Sequence, residues 1–486
     1  MNTPEFFKAE KKEERSQEMQ KDLTKGPVFK VLLVYSLPYL LACFLQTFYG
    51  MADLFITGMF NGADAISAVS IGSQVMHMLT VMLVGLAMGS TVSIGRAIGA
   101  GDREDAAHIT GNTVTIFAIL AAGLTVVLLL ANGAIIRVLS TPAEAVTDAR
   151  NYLVICFAGV PFIIAYNVIS SIFRGIGDTK SPMIFVAVAG ILNVFLDLLF
   201  IGPFGMRAAG AALATVISQA FSVLFSLIYM RKLIQKGKNG KQGGKTGEES
   251  GLGFSLSRQD FKPESQTVKR ILGIGLPISL QDGFIQISFM VITVIVNRRG
   301  VVDAAAVGIV EKVISFLFLV PSAMLSSVSA IAAQNAGAGL HERGLKTLKY
   351  AIAIGIASGA AFTVIAQFAS AGVVGLFTSE EEVIKAGSLY FRAYVFDCMF
   401  AAVHFCFSGF FSAYGKAGYS FLHNILAILL VRIPGAYFAS VLFPDTLLPM
   451  GMAAPGGSLL SDIICLIIFF TQYKKWIAQE KILPEN

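Results

Sequence analysis

The sequence predicts an all-α integral membrane protein with twelve transmembrane helices in two six-helix lobes related by a parallel internal repeat. Three observations predict it. The chain of 486 residues is 55% hydrophobic and 14% charged, with a mean hydropathy of +0.70, whereas a soluble chain carries about 25% charged residues. Its apolar residues come in runs of about 20, the number that crosses about 30 Å of hydrocarbon. The third is recurrence. Tyr152, Phe173 and Gly177 return as Tyr390, Phe411 and Gly415 after 238 residues, Gly99 and Gly101 as Gly337 and Gly339 after the same 238, and Pro38 as Pro277 after 239.

The elements follow in order. Residues 1–29 are polar and mixed in charge, with no short apolar core before a small-residue cleavage site, and read as a cytoplasmic tail. Apolar spans then occupy 30–59, 64–96, 108–132, 149–173, 181–202 and 206–231, an N-lobe of residues 30–232. A Gly-, Lys- and Ser-rich stretch, 233–267, reads as a flexible cytoplasmic linker. Within it Gly244-Lys245-Thr246 ends like a phosphate-binding loop. Asn239 stands where that motif needs its leading Gly and no strand precedes it, so no ATPase is inferred. The C-lobe, 268–474, holds spans at 268–298, 303–334, 345–370, 383–412, 419–442 and 451–474, before a tail at 475–486. Gly205-Met206 matches Gly451-Met452 after 246 residues, which implies an insertion around 443–450. Six spans per repeat is an even number, so both lobes enter the membrane the same way, a plan used by secondary transporters.

Lysine and arginine set the orientation. Seven lie between Lys8 and Lys30, ten between Arg231 and Arg270, and Lys474, Lys475 and Lys481 follow the last span. With an even number of spans all three groups face the cytoplasm, both termini included, in a multi-pass protein of the cell inner (plasma) membrane. The opposite loops are poorer in basic residues, with Arg298 and Arg299 the exceptions. Cys43, Cys156, Cys398, Cys406 and Cys465 all lie in apolar runs without a CxxC pair and read as packing or pore lining.

Function is sought among the polar residues inside the spans, because an aspartate at mid-bilayer costs about 2.5–3.5 kcal/mol. Asp53, Asp197, Asp282, Asp397 and Glu311 are such acids; Lys312 and Arg432 are basic residues at similar depth. Asn193 and Asp197 are four apart and share one helix face. Counted from the outer ends of their spans, Asp53, Tyr152, Asn193, Asp197 and Thr215 reach similar depth from four helices. Two carboxylates without a nearby lysine or arginine cannot both stay charged in low dielectric unless a cation binds. Carboxylate, amide and hydroxyl oxygens suit a proton or a hard cation such as Na⁺. Tyr152 and Thr215, taken alone, also read as polar glue between helices.

The C-lobe does not repeat this cluster: Val431 and Gly435 match Asn193 and Asp197 at the offset of 238. It offers Gln281, Asp282, Gln286 and Met290 in its first span and Asp397 and His404 in its fourth, among Phe and Met side chains that would attract an amphipathic organic cation. Arg432 has Asp397, Glu311 or a backbone carbonyl as its candidate partner. Glu311-Lys312 are adjacent and point in different directions.

LPYLLACFLQTFYGMADLF (37–55), SIGRAIGAGDREDA (93–106), FRGIGDTKSP (173–182) and NVFLDLLFI (193–201) together resemble the multidrug and toxic compound extrusion (MATE) family, over nearly the whole chain beyond its tail. The resemblance implies alternating access and export of cationic drugs against inward H⁺ or Na⁺. It implies a cation-coupling site at Asp53, Tyr152, Asn193, Asp197 and Thr215, and adds Gln46 and Tyr49 to the candidate substrate-binding residues. Some members carry a C-lobe Glu and Asp; the aligned places here are Ile285 or Gln286, and Ala401, so the N-lobe site is favoured. The expected cycle starts when a proton or Na⁺ binds Asp197 and Asp53 from outside. That binding repacks the N-lobe helices around the Pro38-containing first span and releases drug.

No catalytic residue, no cofactor, no metal beyond Na⁺ at the coupling residues and no nucleic-acid partner is expected, and a monomer is the plain expectation. A lipid-linked oligosaccharide flippase of the same superfamily would call for a basic cavity. A membrane-embedded enzyme would need a metal set or a nucleophile–base pair, and neither HExxH nor GxSxG stands in a suitable setting. A channel fits the two-lobe repeat less well than a carrier.

Overall fold

A computed structural model describes residues 22–139, 141–242 and 254–482. The tail before residue 22, Gly244-Lys245-Thr246 and the last four residues lie outside the described residues. Eleven helices are long and apolar enough to cross a membrane, and the bent pair Ala143–Ala158 and Val160–Gly175 makes a twelfth span. The others are Val28–Phe60, Ala63–Ala100, Arg103–Val138, Lys180–Ile201, Arg207–Gln235, Ser265–Asn297, Val301–Gly337, His341–Gly375, Glu381–Ala413, Ala417–Leu442 and Leu448–Ala478. In chain order they are spans one to twelve, the bent pair being span four. Helices are the expected answer here, because hydrocarbon offers backbone N–H and C=O groups no partner outside the helix.

Some spans run past their apolar runs, and the junction of spans two and three is capped on both sides. Span two ends on Gly101, whose φ of 76° places it in the left-handed region, and Asp102 accepts from the Asp105 amide at 2.8 Å to start span three. Span four bends by 47° at Gly159. Pro161 follows two residues later and cannot donate to the preceding turn. A Cβ at Gly159 would lie 2.4 Å from Val216, so the glycine also admits span six.

The chain divides into two compact units, Met1–Gly26 with Leu37–Leu272, and Pro27–Ser36 with Gly273–Asn486. The divisions fall inside spans one and seven, shortly before Pro38 and Pro277. Residues 30–36, assigned to the N-lobe by sequence, therefore group with the second unit. Within each unit the repeat is visible in the backbone: Gly101 and Gly177 have φ of 76° and 95°, and their counterparts Gly339 and Gly415 have 70° and 69°. The expected insertion takes the form of a loop after Leu442 followed by the short helix Leu448–Gly451.

Spans five and eleven differ by one residue. The buried stripe Phe185, Ala189, Asn193, Asp197 is spaced four, four, four; the stripe His423, Ile428, Arg432, Ala436 is spaced five, four, four. The extra residue is taken up in a π-helical turn, Ile428–Arg432, the usual way a helix absorbs a one-residue insertion. This corrects the expected match: Arg432 and Ala436, not Val431 and Gly435, stand where Asn193 and Asp197 stand in the first half.

The stretch read as a flexible linker is structured at both ends. Span six continues as helix to Gln242, and residues from 254 onward dock on span three. Asn112 Nδ2 donates to the Asp260 carbonyl at 3.1 Å, and Asn112 Oδ1 accepts from the Glu264 amide at 2.7 Å. His108 Nδ1 lies 3.2 Å from the Asp260 carboxylate, and a Cβ at Gly111 would fall 2.3 Å from the Asp260 carbonyl oxygen. Gly and Lys content reported flexibility; the glycine and asparagine of another helix supply the dock.

Arg299, an exception to the charge asymmetry, is accounted for by carbonyls. Its Nε pairs with Asp303 at 2.7 Å and its Nη groups donate to Ser440, Phe443, Pro444 and Thr446. In the first unit Arg207, with φ of 53°, pairs with Asp64 and, at 2.9 Å, with Asp148. All five cysteines are free thiols.

Candidate functional site

In the first unit, span one presents Gln46, Tyr49 and Asp53 on one stripe, and span five presents Asn193 and Asp197 on another. Asp53, Tyr152, Asn193 and Asp197 are 4%, 3%, 1% and 0% exposed. Thr215 of span six joins them. Its hydroxyl lies 3.2 Å from Asp53 Oδ2 and 3.0 Å from the Ala211 carbonyl, and it accepts from Asn193 Nδ2 at 3.4 Å. Asp53 and Asp197 are close enough to act on each other's charge. Neither makes an ion pair among the described residues.

Tyr152 reaches this cluster from span four because residue 72 is glycine: a Cβ there would lie 2.2 Å from the Tyr152 ring. The Tyr152 hydroxyl is hydrogen-bonded to Ser73 at 3.2 Å. Tyr49, one turn from Asp53, accepts from Gln219 Nε2 at 3.2 Å. Ser73 and Gln219 were not singled out from sequence. Gln219 follows Thr215 by four residues, a spacing that would have disclosed it.

The cluster's unmet capacity is of one kind. Asp53 Oδ1, Asn193 Oδ1, Asp197 Oδ1 and Asp197 Oδ2 are buried and have no hydrogen-bond partner among the described residues. Four orphaned oxygens converging from two helices demand a positive partner, whether a proton or an oxygen-seeking metal cation. The donor set is all oxygen, which fits Na⁺ and not a transition metal.

In the second unit a small cavity of about 50 Å³ is bordered by Asp397, His404, Arg432 and Ser458, with Ile285 and Phe289 on its span-seven wall. Asp397 and His404, two of the sequence candidates, are thus brought together. Gln281, Asp282, Gln286 and Met290 do not line it. Gln281 is buried with both amide atoms unpartnered, and Asp282, Gln286 and Met290 are half-buried on the adjoining stripe of span seven. Arg432 donates to Tyr394 Oη at 2.8 Å and stacks over Phe289, 4.6 Å from the ring centroid. It makes no ion pair with Asp397 or Glu311, and a tyrosine hydroxyl and an aromatic face take the place of the expected partners.

His404 Nε2 lies 3.3 Å from Ser458 Oγ, its ring 5.5 Å from that of His423, and His423 Nε2 lies 2.9 Å from Ser408 Oγ. Asp462 of span twelve, 6% exposed with one unpartnered oxygen, adds an acid that the sequence reading passed over. A lone aspartate in LLSDIICLIIFF was the available signal.

Comparison with known proteins gives one consistent result. The family model described as MatE matches residues 38–199 and again 277–438, two copies displaced by 239 residues. The probable multidrug resistance protein YpnP of Bacillus subtilis is 27% identical over 461 residues, covering 94% of this chain and 98% of that protein. The multidrug export protein MepA of Staphylococcus aureus is 25% identical over 424 residues, covering 86% and 89%. A solved structure described as the outward-facing conformation of a multidrug resistance MATE family transporter of the MOP superfamily superposes with a TM-score of 0.83 at 22% identity, covering 96% and 99%.

Proposed function

The chain belongs to the MatE family of transporters, and from that premise we propose that it exports small amphipathic, mostly cationic compounds in exchange for H⁺ or Na⁺. Relatives described as multidrug export and multidrug resistance proteins support the drug-export class of a multi-pass membrane transporter. The exchange reading rests on one observation above the others: four orphaned acceptor oxygens on Asp53, Asn193 and Asp197, with no cationic side chain paired to them.

The cycle follows from that chemistry. Cation arrival neutralises the Asp53–Asp197 pair and removes the repulsion between spans one and five. Asn193 and Thr215 hold the two carboxyls in place, and Tyr152 closes the cluster from span four. The empty cluster bears uncompensated charge in a low-dielectric setting, so release of the cation and release of the drug favour opposite states. Asp397 and His404 belong to the drug's path in this reading, together with Tyr49 and Gln46. The clustering of lysine and arginine supports cytoplasmic termini, and a single chain serves as the working unit.

The test uses purified protein in liposomes. Movement of a fluorescent lipophilic cation is followed under an imposed pH gradient, and then under an imposed Na⁺ gradient at fixed pH, with Asp197→Asn beside wild type. Transport driven by one gradient and lost in the variant is the expected result, and it names the ion. Full coupled transport by Asp197→Asn would overturn the exchange site. Absence of any gradient-driven cation movement would overturn the substrate class and favour a lipid-linked sugar.

A further inference from the structure

The repeat equates residues pair by pair. Asp53, Tyr152, Asn193, Asp197 and Thr215 correspond to Ile292, Tyr390, Arg432, Ala436 and Ser461, at offsets of 239, 238, 239, 239 and 246. The tyrosine and the small hydroxyl are kept. Both carboxylates are replaced by apolar side chains, and the amide is replaced by a guanidinium. Arg432 reaches this position through the π-helical turn, which keeps it on the buried stripe although the span is one residue longer than its counterpart. Gly457 opposite lets span twelve approach, since a Cβ there would lie 3.3 Å from Arg432 Cβ.

We propose that Arg432 is a built-in cation: it permanently occupies, in the second lobe, the place where the first lobe takes its exchangeable one, so that only the first lobe answers the ion gradient. The proposal rests on the reading of the Asp53–Asp197 cluster as the exchange site. A guanidinium stays protonated in proteins and carries its charge at every step of the cycle. Its positive charge faces Asp397 across the shared cavity and Glu311 from span eight. Tyr390, Tyr394 and His404 complete the titratable surroundings; Asp462 acts on Asp397 from span twelve, and Lys312 acts on Glu311. Arg432 Nε and both Asp397 oxygens are unpartnered, so donor and acceptor capacity are both present around this cavity. The first-lobe cluster has only acceptors left over. Asp397, Glu311 and Asp462 also leave acceptor oxygens unpartnered, but they share their surroundings with a fixed guanidinium, which the first-lobe cluster lacks.

The experiment reads the melting temperature of the purified protein in detergent against pH and, separately, against Na⁺ concentration. Wild type is expected to show one cation-dependent stabilisation, removed by Asp197→Asn. Asp397→Asn, Glu311→Gln and Asp462→Asn are expected to leave it intact. Introducing Arg432→Gln into the Asp197→Asn protein is expected to create a new saturable rise of about 2–4 °C. Arg432→Lys is expected to create none, and adding Asp397→Asn to Arg432→Gln is expected to abolish the new step. If Arg432→Gln does not fold but its Asp397→Asn double variant does, charge compensation is supported by that rescue. A folded Arg432→Gln with no new cation dependence would overturn the proposal, as would loss of a wild-type step on Asp397→Asn, Glu311→Gln or Asp462→Asn. If both Arg432→Gln proteins fail to fold, those three single variants decide. Should Asp197→Asn leave the wild-type step unchanged, the proposed exchange site fails, while the Arg432 comparison still stands or falls by itself.

Discussion

The two lobes are built from one plan and have opposite electrical characters at equivalent points. Near Asp53 and Asp197 the first lobe keeps two carboxylates on facing spans and leaves three of their four oxygens unsatisfied. At the matching positions the second lobe has Ile292 and Ala436, and it brings in the guanidinium of Arg432 held by Tyr394 and Phe289. What is lacking in one lobe is supplied covalently in the other. An uncompensated buried charge must either bind something or change state, whereas a compensated one can stay as it is. In the proposed function the asymmetry gives the lobes different tasks: the first would sense the ion, and the second would offer aromatic, amphipathic surroundings to substrate.

The largest expected effect breaks that asymmetry at its source. Asp53→Asn and Asp197→Asn should each lower gradient-driven efflux in liposomes by about a hundredfold, the factor matching the 2.5–3.5 kcal/mol of a charge inside the bilayer. Ser461→Ala, at the position equivalent to Thr215, should leave efflux within about threefold of wild type, because its hydroxyl donates to the His423 carbonyl and to no carboxylate. Equal losses from both lobes would show that they share the coupling work.

A deletion tests the helix register. Removing Leu430 from the π-helical turn brings His423, Ala427, Arg432 and Ala436 to a spacing of four, with buried Ala427 taking the stripe place of Ile428 and Arg432 kept on it, so efflux and fold should persist. Removing Leu192 from span five rotates Asn193 and Asp197 about 100° relative to the residues before them, and coupled efflux should disappear. Loss of folding in the Leu430 deletion, seen by size-exclusion profile and melting temperature, would mean that the turn itself is needed.

These two spans also show what the sequence could and could not disclose. Spans declare themselves because each needs about 20 apolar residues, and any charge among them stands out; Asp53, Asn193 and Asp197 were found that way. Tyr152 and Thr215 were legible only through shared depth. The match of Asn193 to Arg432 was not, since an offset measured at Gly177 and Gly415 cannot reveal an insertion that begins thirteen residues after Gly415. Asp462 was visible and passed over. The docking of Asp260 on Gly111 and Asn112 was hidden, because it joins a polar stretch to a helix about 150 residues earlier, and composition carries no trace of such a pairing.

Glycines give a smaller contrast between the units. A Cβ at Gly409 would lie 2.4 Å from the Leu325 carbonyl oxygen, between spans ten and eight, where both neighbours are packed helices. Gly409→Ala should destabilise the protein by about 1–3 kcal/mol and lower the melting temperature visibly. At Gly111 the close neighbour is the Asp260 carbonyl of the segment docked through hydrogen bonds to Asn112, not a packed helix. Gly111→Ala should leave the melting temperature nearly unchanged and speed proteolytic cleavage near residues 254–264. A large thermal loss in Gly111→Ala would make the docked segment part of the first unit's core.

The smallest effects lie at the arginine clasps, Arg207 and Arg299. Each binds an aspartate at the start of its own repeat's second span, Asp64 or Asp303, which are 239 residues apart. Their surroundings differ. Arg299 is 7% exposed on its side chain and donates to four backbone carbonyls, so Arg299→Ala removes a donor shared by all four and should lower the melting temperature by several degrees. Arg207 is 44% exposed, and its pairs are screened by water. It also holds a φ of 53°, which costs a non-glycine residue about 1–2 kcal/mol. Arg207→Gly removes the ion pairs and the strain together, and the two changes oppose each other, so its melting temperature should stay close to wild type. Arg207→Ala keeps the strain and loses the pairs, and should melt below both. If Arg207→Gly and Arg207→Ala melt together, the left-handed backbone at this turn carries no strain, and the difference between the clasps reduces to the carbonyls around Arg299.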